Sequence, residues 1–169
     1  MTAEPSAANP AERVLQIRPA TAADTDFING FVGRFAESGA LPWRDPALMA
    51  NFHANGVAQA AAQARAPEAG QQVLIATDND GQPLGFIYLH SQRTGLTGED
   101  QGYVSMLSVT QEAEGRGVGR ALLAAGEAWA REQGFRHLAL DTFGDNTHAR
   151  AVYAHLGFAE ESLRLVKGL

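Results

Sequence analysis

Glycines at positions 115, 117 and 119 constrain this chain more than any other feature. An apolar run from Tyr103 to Val109 reads as a strand, a short polar segment follows, and a helix begins directly after the glycines. Glycine at a strand-to-helix turn removes the side chains that would screen the backbone N–H groups. The first helical turn carries unpaired N–H donors and a partial positive charge, so it suits an anion, above all a phosphate. A plain flexible turn before an ordinary helix fits the glycines equally well.

Three phosphate ligands are open to such a turn. A P-loop fails, because no Lys-Ser or Lys-Thr pair follows the glycines. A dinucleotide fingerprint nearly fits, with Gly115 and Gly117 opening the helix and Asp141 near the expected distance downstream. Its third glycine would fall at Arg120, and the unit lies two-thirds of the way along the chain. The run from Val109 to Leu123 resembles the acyl-CoA-binding motif of the GNAT superfamily of N-acetyltransferases: Arg or Gln, two residues, Gly, one residue, then Gly or Ala. Gly117 and Gly119 match, and Glu114 stands at the Arg or Gln position. The resemblance implies that acetyl-CoA is the co-substrate. It also implies that the backbone of Glu114, Gly115, Arg116, Gly117, Val118, Gly119 and Arg120 cradles the pyrophosphate. Arg116 and Arg120 would offset the carboxylate of Glu114.

A length of 169 residues provides for one domain with a substantial core. A net charge of -6 argues against a general nucleic-acid binder or anionic-membrane binder. There is no cysteine, which excludes disulfides, thiolate catalysis and Cys-based zinc sites. With no long apolar run and no basic start before an apolar core, a cytoplasmic location is the default.

Residues 1–12, rich in Ala, Pro and Glu, read as a flexible tail, and 13–169 as a single domain. Residues 14–17 suggest a first strand. The Thr21/Asp24 capping spacing and the stripe Phe27, Ile28, Phe31, Val32, Phe35 predict one helix, ended by Ser38 and Gly39. Asp45 and Pro46 open a second helix that Gly56 threatens to break. Strands are predicted at 72–77 and 84–90 around a turn from Asp78 to Gly81, then a loop at 93–101 and a strand at 103–109. After the Gly-led helix come a strand at 137–142, a helix from near Asn146 capped by Gly157, and a last strand from Phe158 toward Val166. The order describes an α/β three-layer sandwich with one mixed, mostly antiparallel sheet and helices on both faces. The GNAT resemblance implies the same architecture.

A second motif strengthens the resemblance: Asn146, Ala149, Tyr153, Gly157 and Phe158, at the family's usual distance after the glycines. It implies transfer of acetyl to a primary amine by direct attack. Tyr153 would donate a proton to the leaving thiolate, as a phenol protonated at neutral pH can. The strand Leu107, Ser108, Val109 would hold the pantetheine arm, with the Leu107 and Val109 backbones available to the oxyanion. Asn146 contacts the cofactor in such a scheme, or simply caps its helix. Arg150, like Arg116 and Arg120, is a phosphate partner or a solvated arginine. Tyr153 equally suits the apolar face of its helix.

The general base is not readable. Residues 105–108 carry no carboxylate, which leaves Glu99, Asp100, Asp141 and His53 as candidates. His148 and His155 are too widely spaced for a direct metal pair, so no metal is expected. Trp43 and Phe52 suit a pocket wall or plain packing. A homodimer is compatible with the resemblance, and no residue pattern decides it. A non-catalytic acyl-CoA-binding or regulatory protein of the same fold is the alternative to an enzyme.

Overall fold

The computed structural model describes residues 15–37 and 41–168. The predicted tail, the beginning of the first strand at Val14 and the helix stop at Ser38 and Gly39 lie outside the described residues. Five strands form one sheet in the order β1-β2-β3-β4-β5. β1 (Gln16–Pro19), β2 (Gln71–Thr77), β3 (Pro83–Arg93) and β4 (Asp100–Val109) are successively antiparallel, and β5 (Leu138–Leu140) joins β4 in parallel. The β2–β3 turn forms where predicted: Asp78 Oδ1 accepts the N–H groups of Asp80 and Gln82 at 3.0 and 2.9 Å. Gly81 there has φ +80°, a conformation that favours glycine.

Helices cover both faces, giving three layers. On one face α3 (Pro46–Arg65), α1 (Thr25–Asn29) and α2 (Val32–Glu37) bury Ile28, Phe31 and Val57 against Ile75, Phe86 and Met106. On the other, α4 (Val118–Glu132) sets Val118, Leu122 and Trp129 against Ile87, Leu89 and Val104. α5 (Thr147–His155) contributes Tyr153, and its C-cap contributes Leu156, to that second cluster. Asp45 caps α3, accepting from the Ala47 and Leu48 N–H groups. Gly56 does not break the helix. It brings the helix onto the sheet, since a Cβ there would lie 3.2 Å from Met106 Sδ.

Three expectations change. The single helix over 27–35 is two short ones after a 3-10 turn at 22–24, with the junction at Gly30, a residue of poor helix propensity, and Phe31, whose N–H turns to Ile28 O at 3.1 Å. The predicted loop at 93–101 shrinks, because Thr94 N–H donates to Glu99 O and Arg93 Nε to Gly98 O, extending both strands. The last strand is absent: 158–168 is neither helix nor strand. Its alternating apolar residues Leu163 and Leu165 are exposed, with no neighbouring strand among the described residues to complete a ladder.

Two irregularities shape the far edge of β4. Tyr88 pairs with Met106 and Leu89 with Val104, so Ser105 is an extra residue. The bulge switches the faces. Val104 packs toward α4, and Met106, two residues on, packs toward α3. The β5 pairing ends at the same place, covering only Gly102, Tyr103 and Val104. From Ser105 to Val109 the β5 side of β4 is open among the described residues.

Candidate functional site

The open edge runs directly into the glycine turn. Thr110 N–H donates to Leu84 O on the β3 side at 2.8 Å. Strand groups alternate in direction, so Leu107 and Val109 turn their backbone N–H and C=O toward the open side. The buried Ser108 lies between them, opposite Phe86. Gly85 makes the close β3 approach possible, since a Cβ there would meet Ser108 O at 2.6 Å.

After a 3-10 turn at Gln111–Ala113, Gly115 and Gly117 adopt φ +70° and +79°. Gly117 is the N-cap of α4 and has no side chain to satisfy the first turn. Ala121 N–H reaches Gly117 O, whereas the N–H groups of Gly117, Val118, Gly119 and Arg120 meet no acceptor among the described residues. A row of outward donors at the positive end of a 15-residue helix fits a pyrophosphate. Beside it, Arg120, His148, Val152 and His155 line a cavity of about 380 Å3 between α4 and α5.

The other site residues divide. Glu114 forms an ion pair with Arg34 of α2, a partner 80 residues away in sequence that no local pattern announces. Its charge is therefore compensated. Arg116 is exposed and donates a long hydrogen bond to Glu112 O at 3.4 Å. Arg150 is held by Glu160 and by Gly144 O. Asn146 caps α5, its Oδ1 accepting Ala149 N–H at 3.1 Å. Tyr153 packs edge-on against Phe158, ring centroids 5.7 Å apart, and joins the cluster that holds Leu107, Val109 and Leu140. Burial raises its phenol above the ordinary value, so it stays protonated at neutral pH.

Among the base candidates, Glu99 sits in the 94–99 loop, bonded to Thr97, and Asp100 begins β4. Asp141 differs, because it directly follows β5 at the opening. Its Oδ2 accepts the Tyr103 hydroxyl at 2.9 Å. Burial and this carboxylate push the Tyr103 phenol well above its usual value. No grouping of three or more potential metal ligands occurs among the described residues.

The sequence matches the Acetyltransferase (GNAT) family over residues 40–158. The chain belongs to the GNAT acetyltransferase family. Among relatives of this GNAT protein, the aminoglycoside N(6')-acetyltransferase type 1 of Stenotrophomonas maltophilia is 37% identical over 97 residues, which is 56% of this chain and 63% of that protein. The chain thus spans less than two thirds of that relative's length. A putative acetyl transferase from Pyrococcus furiosus has the same fold, with TM-score 0.73 at 18% identity over 92% of this chain and 100% of the other. An aminoglycoside N-acetyltransferase, AAC(6')-Iy, solved in complex with CoA, gives TM-score 0.68 at 21% identity, over 95% of this chain and 97% of its own. No helix among the described residues is long and apolar enough to cross a membrane.

Proposed function

We propose that this GNAT protein transfers an acetyl group from acetyl-CoA to a primary amine by direct attack. The observation that carries the reading is the row of unpaired N–H donors from Gly117 to Arg120, at the end of a strand whose far edge is open. The backbone of 114–120 takes the pyrophosphate, and the largely apolar cavity beside Arg120 takes the adenosine end. Leu107, Ser108 and Val109 line the arm of the co-substrate, with Arg34 neutralising Glu114 nearby.

When bound, acetyl-CoA supplies a thioester carbonyl. The amine nitrogen bonds the acetyl carbon while the C–S bond breaks. A Leu107 or Val109 N–H, already aimed at the opening, stabilises the charge that develops on the carbonyl oxygen. Tyr153 gives its proton to the departing sulfur. The amine must arrive neutral, and Asp141, the carboxylate at the opening, takes its proton directly or through water.

Tyr153→Phe tests the assignment against a non-catalytic acyl-CoA binder. The variant should lose about 10²-fold in kcat, in the usual range for a proton donor, with acetyl-CoA affinity within about twofold. An unchanged kcat would remove Tyr153 from the chemistry. A wild-type protein that binds acetyl-CoA and turns over no amine would favour the binding module.

A further inference from the structure

Among the buried side-chain nitrogens and oxygens described, His53 Nε2 has no hydrogen-bond partner. The residue is only 7% exposed. Phe35 of α2 stacks on its ring at 6.1 Å, and Phe52 and Phe143 meet it edge-on at 5.5 and 6.1 Å. Phe143 lies three residues past Leu140, where the β4–β5 pairing stops. The imidazole therefore sits where α2, α3 and the segment after β5 converge. Tyr153 packs with the cluster on the opposite, α4, face of the sheet. The open edge of β4 separates these two places.

Such an imidazole lacks a partner. Burial lowers its pKa, which favours the neutral ring at pH 7, and a neutral ring has one donor and one acceptor nitrogen, Nε2 being one of the two. Folded proteins seldom leave a buried polar atom unmet, and a polar group of a ligand is one way to meet it. The surroundings restrict what that ligand can be. The ring's neighbours are phenylalanines, and Phe52, Leu48 and Trp43 are all exposed along the same stretch of chain. A polyhydroxylated polycation placed there would lose hydration at many polar groups against apolar walls.

We propose that His53, Phe35, Phe52 and Phe143 form the acceptor pocket, which takes a primary amine carried on an aromatic or apolar body, with one of its polar groups hydrogen-bonded to His53 Nε2. The inference rests on the amine-acetyltransferase reading above, and binding separates the two. The test is calorimetric titration of the free and the CoA-loaded protein with tyramine and with kanamycin, for wild type, His53→Leu and His53→Gln. Acetyl-CoA is titrated in parallel.

The expected result is tyramine binding at least tenfold tighter than kanamycin, weakened at least tenfold in His53→Leu and largely restored in His53→Gln. Acetyl-CoA affinity should be the same in all three. Any folded His53→Leu protein that binds tyramine within twofold of wild type would overturn the proposal. So would tighter binding of kanamycin, or no tyramine binding in either state. A protein that binds tyramine through His53 but not acetyl-CoA would overturn only the acetyl-transfer reading.

Discussion

Asp24 illustrates how much one side chain can hold. It is buried at the start of the α1 region and accepts two hydrogen bonds from Arg18, at 2.7 and 2.8 Å, plus the Thr21 N–H at 2.8 Å. The Arg18 guanidinium is the main reason its carboxyl titrates below the usual range, ahead of the Thr21 contacts. A depressed folded-state pKa stabilises the protein above the unfolded value, near 4, and the gain disappears as pH falls through the folded value. Asp24→Asn should cost about 1–2 kcal/mol at pH 7, since Arg18 is partly exposed. The difference from wild type should shrink below about pH 4, as denaturant unfolding across pH would record. A constant difference down to pH 2 would contradict the ion-pair account. At this scale the sequence was only half legible. The Thr21/Asp24 spacing signalled a cap, and Tyr153 and Asn146 stood out by motif. Arg34 with Glu114 and Tyr103 with Asp141 are pairs distant in sequence, and only tertiary folding brings them together.

Elements were more legible than their ends. β2, β3, β4 and α4 announce themselves because short apolar runs between turn signals mark buried strands, and an apolar stripe of period 3.6 marks a helix. The bulge at Ser105 has no such mark, since one extra residue leaves the local composition unchanged. The 158–166 segment shows the converse. Its alternation is real, yet a strand also needs a neighbour, and none is present among the described residues. Gly85 is the sharpest test at this scale. Its Cα hydrogen faces the Ser108 carbonyl, so the added methyl in Gly85→Ala must push β3 from β4 where Leu107 and Val109 are aimed. The expected cost is about 1–3 kcal/mol, with acetyl-CoA affinity falling as well. Thermal unfolding and titration of this variant report the two effects separately. A variant with wild-type stability would show that the β3–β4 approach is not tight.

At the scale of the whole molecule, the site depends on a sheet that opens along one strand. α4 anchors one face and supplies the donors at its N-terminus. α3 anchors the other face and carries His53 and Phe52 of the proposed acceptor pocket in its N-terminal half. The bulge and the end of β5 create the opening between them. The most direct test of this account is calorimetric titration with acetyl-CoA, beside NAD, of wild type and Gly117→Glu. Gly117 has φ +79° and sits among the unpaired donors, so a glutamate there brings both backbone strain and a repelling charge. The account predicts acetyl-CoA binding to wild type, its loss in a still-folded Gly117→Glu, and no response to NAD. A folded wild-type protein that ignores acetyl-CoA, or binds it equally well with Glu at position 117, would contradict it.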